Sequence, residues 1–110
     1  MYTITKMGTT QLPLSFEDEE LDNLLTSFIS EYGKSFSYNQ LCNSVKYYAL
    51  HNNSFKKAPH TEYYNIGITD DDHLRITMFL WNLIWEHKLI INFHDTANMV
   101  SSRDFKFIKL

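Results

Sequence analysis

The 110-residue chain is 44% apolar, 15% aromatic and 21% charged, with three Gly, two Pro and a formal net charge of −3. That composition excludes disordered, collagen-like and low-complexity classes and fits one small globular domain, 1–110, with enough apolar surface for a core of its own. No apolar run approaches the ~20 residues of a membrane span, the N-terminus has no signal-peptide pattern, and Cys42 is the sole cysteine, so the sequence points to a cytoplasmic protein without disulfides.

In residues 1–14, Tyr2 and Ile4 alternate ahead of Leu12-Pro13-Leu14, which suits an extended arm or an edge strand. From Ser15 the period becomes helical. Leu21, Leu24, Leu25, Phe28, Ile29 and Tyr32 fall at steps of three and four, Gly33 supplies the stop, and Glu17–Glu20 crowd the first turn, where the helix dipole favours negative charge. A second helix is predicted over 38–51. Ser37-Tyr38-Asn39-Gln40 is a capping box, Phe36 can staple against Leu41, and the inward stripe is Tyr38, Leu41, Cys42, Val45, Tyr48 and Ala49.

Residues 52–68 carry Pro59 and Gly67 without a helical period and read as a long connection with a short strand at 63–66. A third helix is expected from Thr69 to about Lys88, opened by Asp70, Asp71 and Asp72. Leu89–Phe93 and Arg103–Leu110 then read as two strands joined by the polar loop 95–102.

The third helix is apolar on two sides. With Arg75 at zero, Ile76, Leu80, Leu83 and Ile84 fall between roughly 80° and 180°, and Leu74, Met78, Trp81 and Trp85 between roughly −60° and −120°. Such a helix is expected to be sandwiched, either by residues 1–14 or 52–68 folding over it or by a partner. The stripe of Leu74, Met78, Trp81 and Trp85 is the candidate interface, because Trp and Met are enriched at protein contacts.

Chemistry-bearing patterns are sparse. His73 and His87 would stand about 21 Å apart along the helix, too far to share a metal. His94-Asp95 has no third ligand in spacing, nothing fixes His51 near His60, and Cys42 lies on a buried stripe that disfavours a thiolate. No nucleophile elbow or phosphate-cradling glycine loop is present, and three consecutive aspartates diverge by about 100° each around a helix. The sequence therefore points to a protein that is not an enzyme and uses no cofactor or metal.

The order helix, helix, connection, helix, hairpin, with Leu80-Trp81-Asn82-Leu83-Ile84-Trp85-Glu86-His87-Lys88-Leu89-Ile90 running from the third helix into a strand, resembles the winged helix-turn-helix superfamily over about residues 15–110. The resemblance implies an α+β fold of three helices and a C-terminal β-hairpin, and, in DNA-binding members, a third helix whose N-terminal half enters the major groove. Two features depart from it. About seventeen residues separate the second and third helices where a few are usual, and three aspartates would face the duplex with Arg75 alone able to read a guanine edge. Residues 1–32 and 69–87 are net acidic, 33–68 and 88–110 mildly basic, and no basic stripe exists.

The favoured function is a small non-catalytic interaction or regulatory module that binds a protein partner, a second copy included, through the Met78/Trp81/Trp85 face. The alternative is a winged-helix DNA-binding transcriptional regulator contacting DNA through Arg75, with Lys56, Lys57, Arg103, Lys106 and Lys109 on phosphates, aided by His60 and Lys88. Eight lysines against two arginines and nine asparagines fit a low-GC bacterium or its phage.

Overall fold

In the computed structural model, residues 10–56, 66–92 and 105–110 are described; the Tyr2/Ile4 alternation, Lys57, His60, the 95–102 loop and Arg103 lie outside them. The chain is α+β, with strand β1 (Thr10–Leu12), helix α1 (Asp18–Glu31), strand β2 (Ser35–Ser37), helix α2 (Tyr38–His51), strand β3 (Ile66–Ile68), helix α3 (Asp70–Trp85) and strands β4 (Leu89–Ile91) and β5 (Lys106–Lys109). Three helices and a C-terminal antiparallel hairpin therefore form the frame, as the sequence predicts.

Each helix starts where local chemistry satisfies its first amides. Ahead of α1, the Glu17 amide donates to Glu20 Oε1 at 2.9 Å. At α2 the Ser37 hydroxyl accepts from the Gln40 amide at 3.0 Å, while Gln40 Oε1 accepts from the Ser37 amide, which is the expected capping box. Thr69 caps α3 by accepting from the Asp72 amide. Leu21, Leu25 and Ile29 of α1, Leu41, Cys42, Val45 and Ala49 of α2, and Ile76 and Leu80 of α3 are buried in one core with Leu89 and Phe107.

Two helix ends differ from expectation. α1 begins at Asp18 rather than Ser15, and α3 stops at Trp85, three residues short of Lys88. The stop is a Schellman turn: His87 takes φ 62, its amide donates to the Ile84 carbonyl at 3.0 Å, and the Lys88 amide reaches the Leu83 carbonyl at 2.8 Å.

The sheet has the order β2-β5-β4, antiparallel throughout, with Phe36 opposite Phe107 and Ile90 opposite Ile108. Strand β2 has no counterpart in the sequence reading; the Phe36 ring stacks on Phe107 at 5.4 Å between centroids. β4 ends at Ile91, with Asn92 outside it, where the sequence predicts a strand over Leu89–Phe93; Phe93 lies outside the described residues.

The long connection and the N-terminal arm explain each other. β1 pairs in parallel with β3, Gln11 opposite Gly67, and Leu14 bridges Phe55. The described strand of the connection is Ile66–Ile68, immediately before α3; of the predicted 63–66, residues 63–65 lie outside the described residues. Arm and connection thus pair with one another at the N-terminal end of α3.

Candidate protein-contact face on the third helix

The two apolar sides of α3 have different fates. The side carrying Ile76 and Leu80 is buried, with Leu83 and Ile84 packed against the core. On the opposite side Leu74 is 58% exposed, Met78 57%, Trp81 57% and Trp85 85%. The sequence leaves open whether residues 1–14 or 52–68 or a partner cover this side; neither β1 nor the described part of the connection lies over the tryptophans. The reason is geometric. The Leu14 amide is fastened to Asp72 in the first turn of α3, and the Lys56 amide donates to the Pro13 carbonyl, so both segments are held some three turns from Trp85.

Beside the stripe, between α3 and the sheet, an apolar groove of about 290 Å³ is lined by Leu80, Trp81, Ile84, Ile91, Phe105 and Phe107, with Tyr38 and Thr77 at its polar margin. Tyr38 shares a 2.7 Å hydrogen bond with His73 Nδ1, and Thr77 reaches the same hydroxyl at 3.5 Å. Burial pushes the Tyr38 hydroxyl well above its ordinary value of 10.0. Cys42 Sγ lies 3.9 Å from His73 Nδ1, a long contact for a buried thiol. Sequence reasoning missed this cluster because Tyr38 and His73 are 35 positions apart. A signal existed, since His73 precedes Ile76 by three and Leu80 by seven and so belongs to the buried stripe.

Among the described basic candidates, Lys56 and Arg75 line one pocket together with Asp18, Asp71 and Asp72, while Lys106 and Lys109 lie on β5. Arg75 Nη1 donates to Asp72 at 2.8 Å, Nε to Asp18 at 2.8 Å and Nη2 to the Phe16 carbonyl at 2.6 Å. All three nitrogens of its guanidinium are thus hydrogen-bonded inside the molecule. Asp72 is likewise turned inward, 4% exposed, accepting from the Leu14 amide at 2.9 Å and from the Thr69 hydroxyl at 3.0 Å. Only Asp70 and Asp71 of the acidic triplet face solvent.

Lys109 Nζ donates to the Ile29 and Tyr32 carbonyls, 2.8 Å each, closing the C-terminal end of α1, which has no basic residue in its last turn. Lys106 is partly buried on β5, and Lys56 is exposed in the connection that follows α2. Lys57 and Arg103 fall outside the described residues.

Among the described residues, no group of three or more His, Cys, Asp or Glu side chains is placed to hold a metal ion, and no helix is long and apolar enough to cross a membrane. Comparison of the chain with protein-family models, curated proteins and solved structures finds no match.

Proposed function

We propose that this chain is a non-catalytic interaction module of winged-helix type that binds a protein through the outer face of α3. The carrying observation is that Leu74, Met78, Trp81 and Trp85 are each more than half exposed on one side of one helix. Two tryptophans, a methionine and a leucine in a row form the kind of surface that protein contacts use and isolated monomers rarely display. The winged-helix part of the reading is supported by three helices followed by an antiparallel hairpin.

In a groove-reading member of that superfamily, the N-terminal half of the third helix would meet base edges. Here that half presents Asp70 and Asp71, and its arginine is turned to Asp72 and Asp18. A duplex would meet carboxylates and indole rings, which favours protein over DNA as the partner. Duplex DNA at low salt is expected to leave the chain's mobility in a gel unchanged; a salt-sensitive shift would return the regulator alternative.

The test is photo-cross-linking in the cells that naturally make the chain. A photoreactive side chain at Met78 is expected to give a discrete protein adduct that Trp81→Ser removes. Adducts no more abundant than those from the exposed α1 position Thr26 would overturn the reading.

A further inference from the structure

Apart from the outer face of α3, we infer that the open edge of the sheet pairs with the same edge of a second copy of this chain, β4 against β4 in antiparallel register. The backbone gives the first support. In the order β2-β5-β4, β4 is an outer strand. The Lys88 carbonyl accepts from the Leu110 amide at 3.0 Å and the Asn92 amide donates to the Lys106 carbonyl at 2.9 Å, so Lys88, Ile90 and Asn92 turn backbone groups toward β5. Leu89 and Ile91, between them, turn theirs away, and among the described residues no other strand meets them. The opposite edge is closed: the Ser37 amide of β2 is taken by Gln40 Oε1, and the chain enters α2 at once. Leu89-Ile90-Ile91 carries no charge or proline and pairs with β5 without a bulge, so the usual devices that keep an edge from pairing are missing from it.

Register gives the second support. In an antiparallel pair, hydrogen bonds run between residues that both face outward, so Leu89 of each copy meets Ile91 of the other around a two-fold axis at Ile90, with four hydrogen bonds in all. Moving the axis to Leu89 would bring His87 into the ladder, and its φ of 62 is not that of a strand. A parallel pair of identical strands would relate the copies by translation and leave the assembly unclosed.

The side chains give the third. Ile90 is 44% exposed and lies opposite Ile108 of β5. The two-fold sets Ile90 against Ile90 at a close, non-hydrogen-bonded position, so the outer surface of the joined sheet carries an unbroken row of Ile108, Ile90, Ile90 and Ile108. Lys88 comes opposite Asn92 of the second copy, and no like charges oppose each other. A strand that fits this edge has to bring a β-branched apolar residue opposite Ile90 and an uncharged polar one opposite Lys88; β4 itself supplies both. So short a seam makes a concentration-dependent dimer rather than an obligate one.

Sedimentation equilibrium of the purified full chain, from low to high micromolar concentration, is expected to show monomer and dimer. Ile90→Lys and Ile90→Glu, which each set like charges face to face on the axis, should weaken the dimer at least about tenfold with the helical circular dichroism retained, and mixing the two variants should restore association. Ile90→Cys should form a disulfide between copies under a mild oxidant, its Cα atoms standing about 4.5 Å apart, while Ile108→Cys, about 14 Å from its counterpart, should not. One readout needs no variant: in hydrogen exchange the Leu89 and Ile91 amides should gain protection as concentration rises, and the Ser35 amide on the opposite edge should not. A chain that stays monomeric overturns the pairing, whatever cross-linking at Met78 finds, and leaves the reading of the α3 face standing. A dimer that survives Ile90→Lys, that is lost on Trp81→Ser alone, or that leaves the Leu89 and Ile91 amides unprotected overturns it as well.

Discussion

His87 does at the end of α3 what glycine usually does. Its φ of 62 lies in the left-handed region, where a Cβ crowds the backbone, and the two Schellman hydrogen bonds hold it there. His87→Gly should therefore raise stability by about 0.5–1 kcal/mol, and the β-branched His87→Val should lower it, both measured by urea unfolding. Tyr38 supplies a second residue-level test. Burial raises its hydroxyl above the ordinary 10.0, with the bond to Thr77 only partly opposing. Because the folded state keeps this proton after the unfolded chain has lost it, the associated stability is intact below about pH 10 and declines as pH rises further. Absorbance titration should show tyrosine ionisation displaced to high pH, and Tyr38→Phe should remove that displaced component; a tyrosine complement that all titrates near 10 would contradict the buried placement. Burial moves Tyr32, hydrogen-bonded to Ser44 at 2.6 Å, in the same direction.

At the scale of elements, legibility followed how local each determinant is. α2 runs from Tyr38 to His51 as predicted because its capping box and apolar stripe lie within fourteen consecutive residues. β2 escaped notice because three residues carry no period, and their strand character comes from pairing with β5, with Phe36 set against Phe107 far along the chain. The end of α3 was misplaced because the stop residue is a histidine rather than a glycine. Its two apolar stripes were plain in the sequence, but amphipathicity cannot say that β1 would pair with β3 at the start of the helix. The two faces make opposed predictions for stability. Ile76→Ala or Leu80→Ala opens a cavity in the core and should cost about 2–5 kcal/mol, whereas Trp85→Ser, 85% exposed before the change, should alter the unfolding free energy of the monomer by no more than about 0.5 kcal/mol. Denaturant titrations below the association range check both, and a large loss for Trp85→Ser would mean that its indole is part of the core.

For the molecule as a whole, the candidate face was legible as a stripe of residue types, while the roles of Arg75, Asp72 and Lys109 were not, because each depends on what the fold brings beside it. Lys109 meets the end of α1 only after β5 has paired with β2. Arg75 and Asp72 form the joint between the paired strands β1 and β3 and the helices. Asp72 alone links the Leu14 amide, the Thr69 cap and the Arg75 guanidinium, which in turn holds Asp18 and the Phe16 carbonyl at the start of α1. Three donors converge on one buried carboxylate, so Asp72→Ala should leave an amide and a partly buried guanidinium without their acceptor and cost about 3–5 kcal/mol. Asp72→Asn keeps one carbonyl oxygen for these donors but loses the charge, and should fall between the wild type and Asp72→Ala. The location of the damage distinguishes a joint from an ordinary core contact. In hydrogen exchange, the Leu12 and Leu14 amides should lose protection in Asp72→Ala before those of α2, whose cap and core face do not touch Asp72. Uniform loss of protection across α2 and β1 would instead make Asp72 one more member of a single cooperative core, with the N-terminal strand no more dependent on it than the rest.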